Sequence, residues 1–391
     1  MLNTALSPWP SFTQEEADAV SRVLLSNKVN YWTGTECREF EKEFAAFAGT
    51  QYAVALSNGT LALDVALKAM GIGAGDDVIV TSRTFLASAS CIVTAGANPV
   101  FADVDLNSQN ISAETIKAAL TPNTKAIIVV HLAGMPAEMD GIMDLAKEHN
   151  LWVIEDCAQA HGAKYKGKSV GSIGHVGAWS FCQDKIMTTG GEGGMVTTND
   201  KELWSKMWSY KDHGKSYDAV YHREHAPGFR WLHESFGTNW RMMEMQAVIG
   251  RIQLKRMPEW TARRQAHAAK LAESLGKFAS IRLIEVADYI EHAQYKFYAF
   301  VKPEHLKDGW TRDRIVNELN ARKVPCYQGS CSEVYLEKAF DNTPWRPKER
   351  LKNAVELGDT SLMFLVHPTL TDDEIAFCQE HIEAVLAQAT A

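Results

Sequence analysis

The sequence predicts an α/β protein: a large domain with a mostly parallel central sheet flanked by helices, followed by a smaller α+β C-terminal domain. Up to about residue 250, short runs rich in apolar and β-branched residues alternate with helical patterns. These short runs are apolar almost throughout, which is typical of strands buried on both faces of a parallel sheet. Beyond that point the pattern changes, and a long predicted helix leads into a shorter segment that mixes helix and strand patterns.

The elements follow one another in a regular order. Helices are predicted for TQEEADAVSRVLLS, CREFEKEFAAFAG and TLALDVALKAMGIG. Strands are predicted for DDVIVTS, PVFADVD, KAIIVVHLAG and LWVIEDCA, with SAETIKAAL and GIMDLAKEHN as helices between some of them. The long helix EMQAVIGRIQLKRMPEWTARRQAHAAKLAESL leads to the strand HAQYKFYAFV and the helices TRDRIVNELNARKV and TDDEIAFCQEHIEAVLAQ. We therefore predict a large domain over residues 1–250 and a small domain over 251–391.

Composition argues against several classes of function. The 391 residues carry a formal net charge of -8, which disfavours nucleic acid or an anionic membrane surface as the main partner. The seven cysteines form no CxxC pairs of the metal-binding type, so we predict no metal site and expect a reducing compartment. No apolar stretch approaches the ~20 residues of a membrane span, and the first residues lack a signal-peptide pattern. We expect a cytoplasmic globular protein.

Polar residues collect after the predicted strands, where open parallel sheets bind their ligands. LWVIED ends in Glu155 and Asp156, and AWSFCQDK ends in Asp184 and Lys185. ALSNGTLALDVAL passes through Asn58-Gly59-Thr60 into a helix, and free amides at a helix start can hold an anion. Taken singly, each feature has a plain alternative as a helix N-cap, a solvated strand end or a surface lysine. Together, an anion site, a carboxylate and a lysine match the requirements of pyridoxal phosphate.

The chain resembles the DegT-type pyridoxal-phosphate-dependent aminotransferases that act on nucleotide-linked keto sugars. The likeness extends over nearly the whole chain, from YWTGTECREFEKEFAAF through SNGTLALDVAL, IEDCAQAHGA and SF…K…GEGG to GTNWRM and LVHP. It implies an aspartate-aminotransferase-like fold and a homodimer with two active sites at the subunit interface. Enzymes of the family that remove a hydroxyl group carry histidine at the position of Lys185, so the lysine favours amino transfer.

The resemblance also implies roles for individual residues. Lys185 would form the Schiff base and carry protons, and Asp156 would pair with the ring nitrogen, with Glu155 as the next candidate acid. The other implied cofactor contacts are Gly59, Thr60 and Ser180 at the phosphate, Phe85 on the ring face, Gln159 near the ring 3-oxygen, and Asn239 from the neighbouring subunit. A core position for Phe85 and a helix-cap role for Gln159 remain alternatives. The roles of Asp184 and Glu192 stay open.

The glycines around Glu192 in GGEGG are expected to let the backbone pass close to the lysine loop and the sheet without side-chain clashes.

By resemblance, the amino donor is L-glutamate and the acceptor a nucleoside-diphosphate 4-keto-6-deoxyhexose, possible forms being UDP-linked and 2-acetamido. The product would be a 4-amino-4,6-dideoxy sugar for lipopolysaccharide or another surface glycan. The GEGG motif is closer to the C-4 than to the C-3 aminotransferases, which tend to carry GDGG. The candidate substrate-binding residues are Tyr31, Trp32, Thr33, Arg241 and Tyr327. Lys215 is a second candidate, besides Arg241, for the cation that binds the diphosphate.

Three alternatives to this function stay open. The first is a C-3 keto-sugar aminotransferase of the same family. The second is a pyridoxal-phosphate lyase or desulfurase acting on amino acids, although no cysteine lies in an evident mobile loop. The third is a non-catalytic regulator, which we would expect to have lost the lysine, the aspartate or the phosphate loop.

Overall fold

The computed structural model describes residues 6–391, and they form the predicted α/β fold. The strands are β1 (Tyr52–Leu56), β2 (Asp77–Thr81), β3 (Asn98–Ala102), β4 (Thr124–Val130), β5 (Trp152–Asp156), β6 (Lys164–Tyr165), β7 (Lys168–Ser169), β8 (Val176–Ser180), β9 (Gly194–Thr198), β10 (Ile281–Leu283), β11 (Ile290–Glu291), β12 (Phe297–Val301), β13 (Cys326–Tyr327) and β14 (Ser361–Phe364). The α-helices are α1 (Gln14–Leu25), α2 (Glu36–Ala48), α3 (Gly59–Ala69), α4 (Ala87–Thr94), α5 (Ala113–Ala119), α6 (Met139–His149), α7 (Lys201–Tyr210), α8 (Tyr217–Tyr221), α9 (Glu244–Leu275), α10 (Arg312–Ala321), α11 (Lys352–Thr360) and α12 (Asp372–Ala389).

The large sheet has seven strands in the order β1-β9-β8-β5-β4-β2-β3. The pairs from β8 through β5, β4 and β2 to β3 are parallel, whereas β9 runs antiparallel to both β1 and β8. Alternate residues of β4 enter two different apolar clusters: Ala126 and Ile128 on one face, Ile127 and Val129 on the other. Burial of both faces explains why the strand sequences are continuously apolar.

The second sheet is antiparallel, with the order β10-β12-β14-β13, and it packs against α9, α10 and α12. The predicted domain boundary at residue 250 falls inside α9, which is continuous from Glu244 to Leu275. This helix contacts α1, α2 and α12. The division into residues 1–250 and 251–391 therefore stays a prediction.

β3 forms one edge of the large sheet and contains Pro99. Beside it lies the segment 344–348, in which the Trp345 indole N–H donates to Asn98 Oδ1 at 3.1 Å. Trp345 also packs against the apolar cluster beneath β2 and β4. This segment therefore fixes the outer side of β3.

No helix within residues 6–391 combines the length and apolarity needed to cross a bilayer.

Candidate active site

The residues predicted from the strand ends meet in one cavity of about 570 Å³ at the carboxyl edge of the large sheet. Its lining comes from the start of α3, the loop before α4, the end of β5 and the loop between β8 and β9. The predicted residues that line it are Gly59, Thr60, Phe85, Asp156, Gln159, Ser180, Asp184, Lys185 and Glu192.

One wall of the cavity is suited to an anion. Asn58 caps α3, its Oδ1 accepting from the Leu61 N–H at 3.0 Å, and the amides of Gly59 and Thr60 belong to the first helical turn. First-turn amides have no partner within a helix and attract negative charge. A Cβ on Gly59 would lie 2.5 Å from Ser180 Cβ, so only glycine lets the helix start approach the Ser180 hydroxyl. Asn58 is thus a helix N-cap, and the helix start that it caps is also suited to bind an anion.

Asp156 ends β5 with its carboxylate inside the cavity lining. Its Oδ2 accepts from the Ser88 hydroxyl at 2.7 Å, and its Oδ1 accepts from the Ala158 N–H at 3.1 Å. Two donors thus fix a buried carboxylate while leaving lone pairs for a ligand. Asp156 fits the predicted role as the partner of a protonated ring nitrogen.

Glu155, the next candidate acid, is fully buried outside the cavity lining. Its carboxylate accepts from the N–H groups of Gly171, Ile173 and Gly174, and it bonds to His131 Nε2 at 2.9 Å. Burial alone would raise the pKa of Glu155, but the His131 bond and these backbone donors lower it overall. Glu155 is therefore a structural carboxylate.

His131, Glu155 and Cys157 lie close enough together to be metal ligands. Both ring nitrogens of His131 are already engaged, since Nε2 meets Glu155 and Nδ1 accepts from the Ala137 N–H at 3.1 Å. The group is a satisfied hydrogen-bond network that holds the loop after β7.

The sequence predicted that Lys185 ends a strand, but β8 stops at Ser180. The lysine lies on the loop that follows. The Trp9 indole N–H donates to the Lys185 carbonyl at 2.8 Å, and Lys185 Nζ lies 5.3 Å from the Tyr295 ring centroid. The Tyr295 hydroxyl donates to the Asp184 carboxylate. Burial tends to raise the pKa of Asp184, but the charge of Lys185 and the Tyr295 bond lower it overall.

The glycines of GGEGG serve two purposes. Gly190 and Gly191 have φ values of +84° and +125°, which favour glycine. A Cβ on Gly193 would collide with Thr189 Oγ1, and one on Gly194 would collide with the Asn58 carbonyl oxygen. The expected close approach is confirmed at these last two positions. Glu192, between Gly191 and Gly193, is exposed and lines the cavity.

The structure disagrees with the two plainer alternatives, a core position for Phe85 and a helix-cap role for Gln159. The Phe85 side chain is 70% exposed on the cavity wall, so it is not a core residue. Gln159 lies in a turn rather than at a helix end, and its Oε1 accepts from the Ala133 N–H at 2.8 Å. That bond fixes the Gln159 side chain, which lines the cavity.

The structure does not bring the predicted substrate loop to this cavity. Tyr31 is 2% exposed, and its hydroxyl donates to Glu41 and accepts from the Trp208 indole. With both bonds of its hydroxyl made, Tyr31 packs as a core residue in its own chain, and its assignment to substrate stays a prediction. Trp32 lies under Lys215, whose Nζ is 4.1 Å from its ring, and Thr33 lines a separate cavity between α1 and α9.

The candidate cations are already paired. Arg241 and Lys215 both donate to Asp212 Oδ1, at 2.8 and 3.0 Å. Arg241, the exposed Asn239 and Tyr327 of β13 all lie outside the lining of the cavity that their own chain forms. Their assignments to substrate or cofactor stay predictions.

The residues present fit pyridoxal phosphate. The helix start that a Cβ would block, together with Ser180, suits the phosphate, Asp156 suits the ring nitrogen, and the exposed Phe85 ring suits a stacked aromatic. Sequence reasoning missed Ser88 and Tyr295. Ser88 follows Phe85 within one helical turn and could have been suggested by that spacing, whereas Tyr295 has no local signal.

Comparison with known proteins bears on this cavity. The chain matches the model of the DegT/DnrJ/EryC1/StrS aminotransferase family over residues 10–383. It is 42% identical over 377 residues to the GDP-perosamine synthase of Escherichia coli O157:H7, an alignment that covers 95% of this chain and 96% of that protein. It is 44% identical over 349 residues to the UDP-N-acetyl-3-dehydro-alpha-D-glucosamine 3-aminotransferase of Acidithiobacillus ferrooxidans, covering 88% and 86%.

Two solved structures share the fold. The aminotransferase from Psychrobacter cryohalolentis superposes with a TM-score of 0.96 at 66% identity, covering 98% of this chain and 99% of that one. S. venezuelae DesV in complex with ketimine intermediate superposes with a TM-score of 0.85 at 32% identity, covering 95% and 94%. The large sheet, the helices that flank it and the smaller C-terminal sheet are thus the architecture of aminotransferases.

Proposed function

The chain belongs to the DegT/DnrJ/EryC1/StrS aminotransferase family and is a pyridoxal-phosphate-dependent aminotransferase of nucleotide sugars; on that premise we propose that L-glutamate aminates a nucleoside-diphosphate 4-keto-6-deoxyhexose here. The observation that carries the proposal is the convergence of Lys185, Asp156 and the start of α3 on one cavity. The GEGG sequence around Glu192 supports the C-4 position.

Three residues of the cavity, Asp156, Phe85 and Lys185, have defined tasks in such a reaction. Bound pyridoxal phosphate supplies storage for the amino group and withdraws electrons from the reacting carbon. Asp156, fixed by Ser88 and Ala158, would keep the ring nitrogen protonated. Phe85 would cover one ring face and exclude water. In each half-reaction, Lys185 Nζ would move a proton between the reacting substrate carbon and C-4′ of the cofactor.

The phosphate end would be held by neutral donors. The amides of Gly59 and Thr60 at the start of α3 offer fixed N–H groups, and Ser180 adds a hydroxyl. Because this helix start is capped by Asn58 and packed against β8, it costs no rearrangement when an anion binds.

We infer that the active sites are shared in a homodimer. Asn239 and Arg241 lie at the end of a long loop whose aromatic residues Phe229, Trp231 and Phe236 are 75%, 80% and 99% exposed. Exposed aromatics in such number favour coverage by another protein surface. A second copy would receive Asn239 at its cofactor phosphate and Arg241 at the sugar diphosphate.

A substrate panel tests the proposal. Purified protein loaded with pyridoxal phosphate is mixed with L-glutamate and 4-keto-6-deoxy sugars carrying UDP, dTDP or GDP, and the position of the amine in the product is read by NMR. Amination at C-4 is expected. Turnover of amino acids without any keto sugar would contradict the proposal in favour of a lyase, and absence of turnover with every acceptor would favour a regulator.

A C-3 acceptor is the second candidate, favoured by the 44% identity to the Acidithiobacillus ferrooxidans 3-aminotransferase. The same panel therefore includes a UDP-linked 3-keto sugar. Amination of this compound, with the 4-keto sugars left unchanged, would assign the chain to C-3.

The role of Lys185 is tested separately. Borohydride reduction of the loaded protein should attach the cofactor to the peptide that contains Lys185, and Lys185→Ala should lose turnover while keeping the fold. Attachment at another lysine would contradict the assignment.

A further inference from the structure

The backbone at Lys185 is held by a residue from near the beginning of the sequence. The Trp9 indole N–H donates to the Lys185 carbonyl oxygen at 2.8 Å, a contact between residues 176 positions apart. We propose that Trp9 is a positioning residue, which holds the backbone of the lysine loop (residues 181–193) so that the Lys185 amine stays in the cavity. This inference rests on the proposed function of Lys185.

Few other contacts fix this point of the loop. The Lys185 N–H donates to the Cys182 carbonyl at 3.1 Å, which is a bond within the same turn. Asp184 is held through its side chain by the Tyr295 hydroxyl. Among the residues that the structure describes, the Trp9 indole is the one hydrogen-bond donor to the Lys185 carbonyl. Trp9 therefore supplies the long-range backbone bond at Lys185 itself.

The Trp9 ring is in turn held by three contacts. Its centroid lies 5.0 Å from that of Trp260 on α9 in an edge-on arrangement, and 6.1 Å from that of His367 in a stacked one. The guanidinium of Arg264, also on α9, lies 5.0 Å from the Trp9 ring centroid. Aromatic and cation–π contacts of this kind restrict the orientation of an indole. The N–H group is therefore presented to the lysine loop from a fixed ring.

The chain just before Trp9 is anchored as well. The Thr369 hydroxyl, between β14 and α12, donates to the Pro8 carbonyl at 2.7 Å. The Ser7 N–H and hydroxyl both donate to Glu374 Oε1 in the first turn of α12, at 2.6 and 2.9 Å. The C-terminal part of the chain thus fixes the backbone that carries the indole.

The same contacts give a role to the LVHP motif, whose histidine lies outside the cavity lining. The Thr369 hydroxyl has one hydrogen and donates it to Pro8, so it can only accept from His367 Nδ1, which lies 2.9 Å away. Burial, aided by nearby cations, lowers the pKa of His367 to about 3, so its ring is neutral and carries its proton on Nδ1. His367 therefore orients the hydroxyl that holds Pro8 and also stacks on Trp9.

Loss of the indole N–H should affect Lys185 more than the rest of the cavity. The hydrogen bonds made by residues 6–10 go to Lys185, Thr369 and Glu374, and not to Asp156 or the start of α3. A displaced Lys185 should slow covalent attachment of the cofactor, in which the amine adds to the aldehyde carbon and water leaves. Noncovalent binding of the cofactor phosphate and ring should stay unchanged.

The test therefore compares covalent and noncovalent binding to the apoprotein. The variants are Trp9→Phe and Trp9→benzothienylalanine, the second of which keeps a bicyclic ring of the same shape but has no N–H. The first readout is the rate at which pyridoxal phosphate attaches to Lys185, stopped with borohydride and followed by mass spectrometry. The second is the affinity for pyridoxine phosphate, which has no aldehyde and cannot attach. We expect attachment to slow about tenfold in both variants and the affinity for pyridoxine phosphate to stay at the wild-type value.

A matched control comes from the same aromatic group. Trp260 packs against the Trp9 ring, and among the described residues no hydrogen bond joins it to the lysine loop. Trp260→Phe should therefore keep the wild-type attachment rate. Hydrogen exchange of the apoprotein peptide that contains Lys185 should be faster in both Trp9 variants and unchanged in Trp260→Phe. Because the benzothienyl ring preserves the packing, that variant decides the test where Trp9→Phe does not fold.

The outcomes separate this inference from the function on which it rests. A borohydride label at a residue other than Lys185 in the wild type would overturn the proposed function. With the label at Lys185, a wild-type attachment rate in Trp9→benzothienylalanine would overturn the positioning role alone. An equal loss of attachment rate and of pyridoxine phosphate affinity would also overturn it, because that result would mark a general disturbance of the cavity.

Discussion

Two adjacent acids show how much one position along a strand decides. Side chains of consecutive strand residues point to opposite faces, so Glu155 and Asp156 at the end of β5 enter different surroundings. Glu155 meets His131 and the amides of the loop after β7, whereas Asp156 meets Ser88 beside the cavity. The first acid stabilises the fold, and we expect the second to serve the cofactor.

This contrast gives the first prediction. Glu155→Gln should destabilise the apoprotein by on the order of 3 kcal/mol, because its partners stay buried after the charge is gone. Asp156→Asn should change the urea midpoint of the apoprotein little but slow both half-reactions by orders of magnitude. Urea unfolding and single-turnover absorbance measure the two effects. Near wild-type rates in Asp156→Asn would contradict the assignment of the ring-nitrogen partner.

The second prediction concerns pH and His161. Burial, with the charges of Lys185 and Arg264, lowers the pKa of His161 to about 3, against 6.5 for an exposed histidine. Below pH 6.5 the unfolded chain therefore binds a proton that the folded chain does not, and stability falls as pH decreases from 6.5 toward 3. This histidine alone should cost about 3 kcal/mol at pH 4.5.

Unfolding of the apoprotein at pH 7 and pH 4.5 checks this effect. His161→Leu should lose less stability between the two pH values than the wild type, whereas His149→Leu, at an exposed position in α6, should behave like the wild type. Equal losses in all three proteins would show that His161 does not titrate in this way.

The sequence signalled those site residues that motifs place next to one another. Asn58 through Thr60, Asp156 and Lys185 each follow a strand pattern, so the carboxyl edge of the sheet could be expected to unite them. Tyr295 could not be found in this way, because its contact with Asp184 depends on how a segment beyond α9 folds back onto the lysine loop. The burial of Tyr31 could not be predicted either, because a motif position does not say whether a side chain is exposed.

At the scale of elements, the anion site depends on the contact between the start of α3 and the start of β9. The Asn58 carbonyl lies so close to Gly194 that no side chain fits between them. β9 itself was not predicted as a strand, because its first residue belongs to a glycine cluster that reads as a turn. Only its pairing with β1 and β8 makes that glycine part of a sheet.

The third prediction follows from this contact. Gly194→Ala should push the Asn58-Gly59 backbone away from β9 and weaken cofactor binding by at least about tenfold, because the phosphate amides move with it. Gly73→Ala is the control, since a Cβ there meets only the Ala95 carbonyl at 3.7 Å, an ordinary contact. Fluorescence titration with pyridoxal phosphate gives both affinities. Equal affinities in the two variants would contradict the proposed phosphate site.

At the scale of the whole molecule, α9 joins the two sheets into one body. It is continuous through the predicted boundary and contacts α1, α2 and α12 along its length. Sequence patterns predicted this helix because its apolar residues recur over many turns, but they could not say that both halves of the chain share it.

The fourth prediction tests the shared active site. Lys185→Ala and Asn239→Asp, the latter placing a negative charge against the phosphate, should each be nearly inactive alone at limiting cofactor. After subunit exchange about half of the dimers would be mixed, each with one intact site, so about a quarter of wild-type activity should return. No recovery after verified exchange would mean that Asn239 does not reach a neighbouring chain.

The outer edge of the large sheet has a consequence for behaviour in concentrated solution. An exposed strand edge offers unpaired backbone groups to the strands of other molecules and so invites aggregation. On β3, Pro99 lacks an N–H, and the segment 344–348 adds two prolines, a lysine, an arginine and the Trp345 bond to Asn98. This edge is thereby a poor template for intermolecular sheet growth. A change of Trp345 to alanine should raise light scattering on heating well before the enzyme loses its activity.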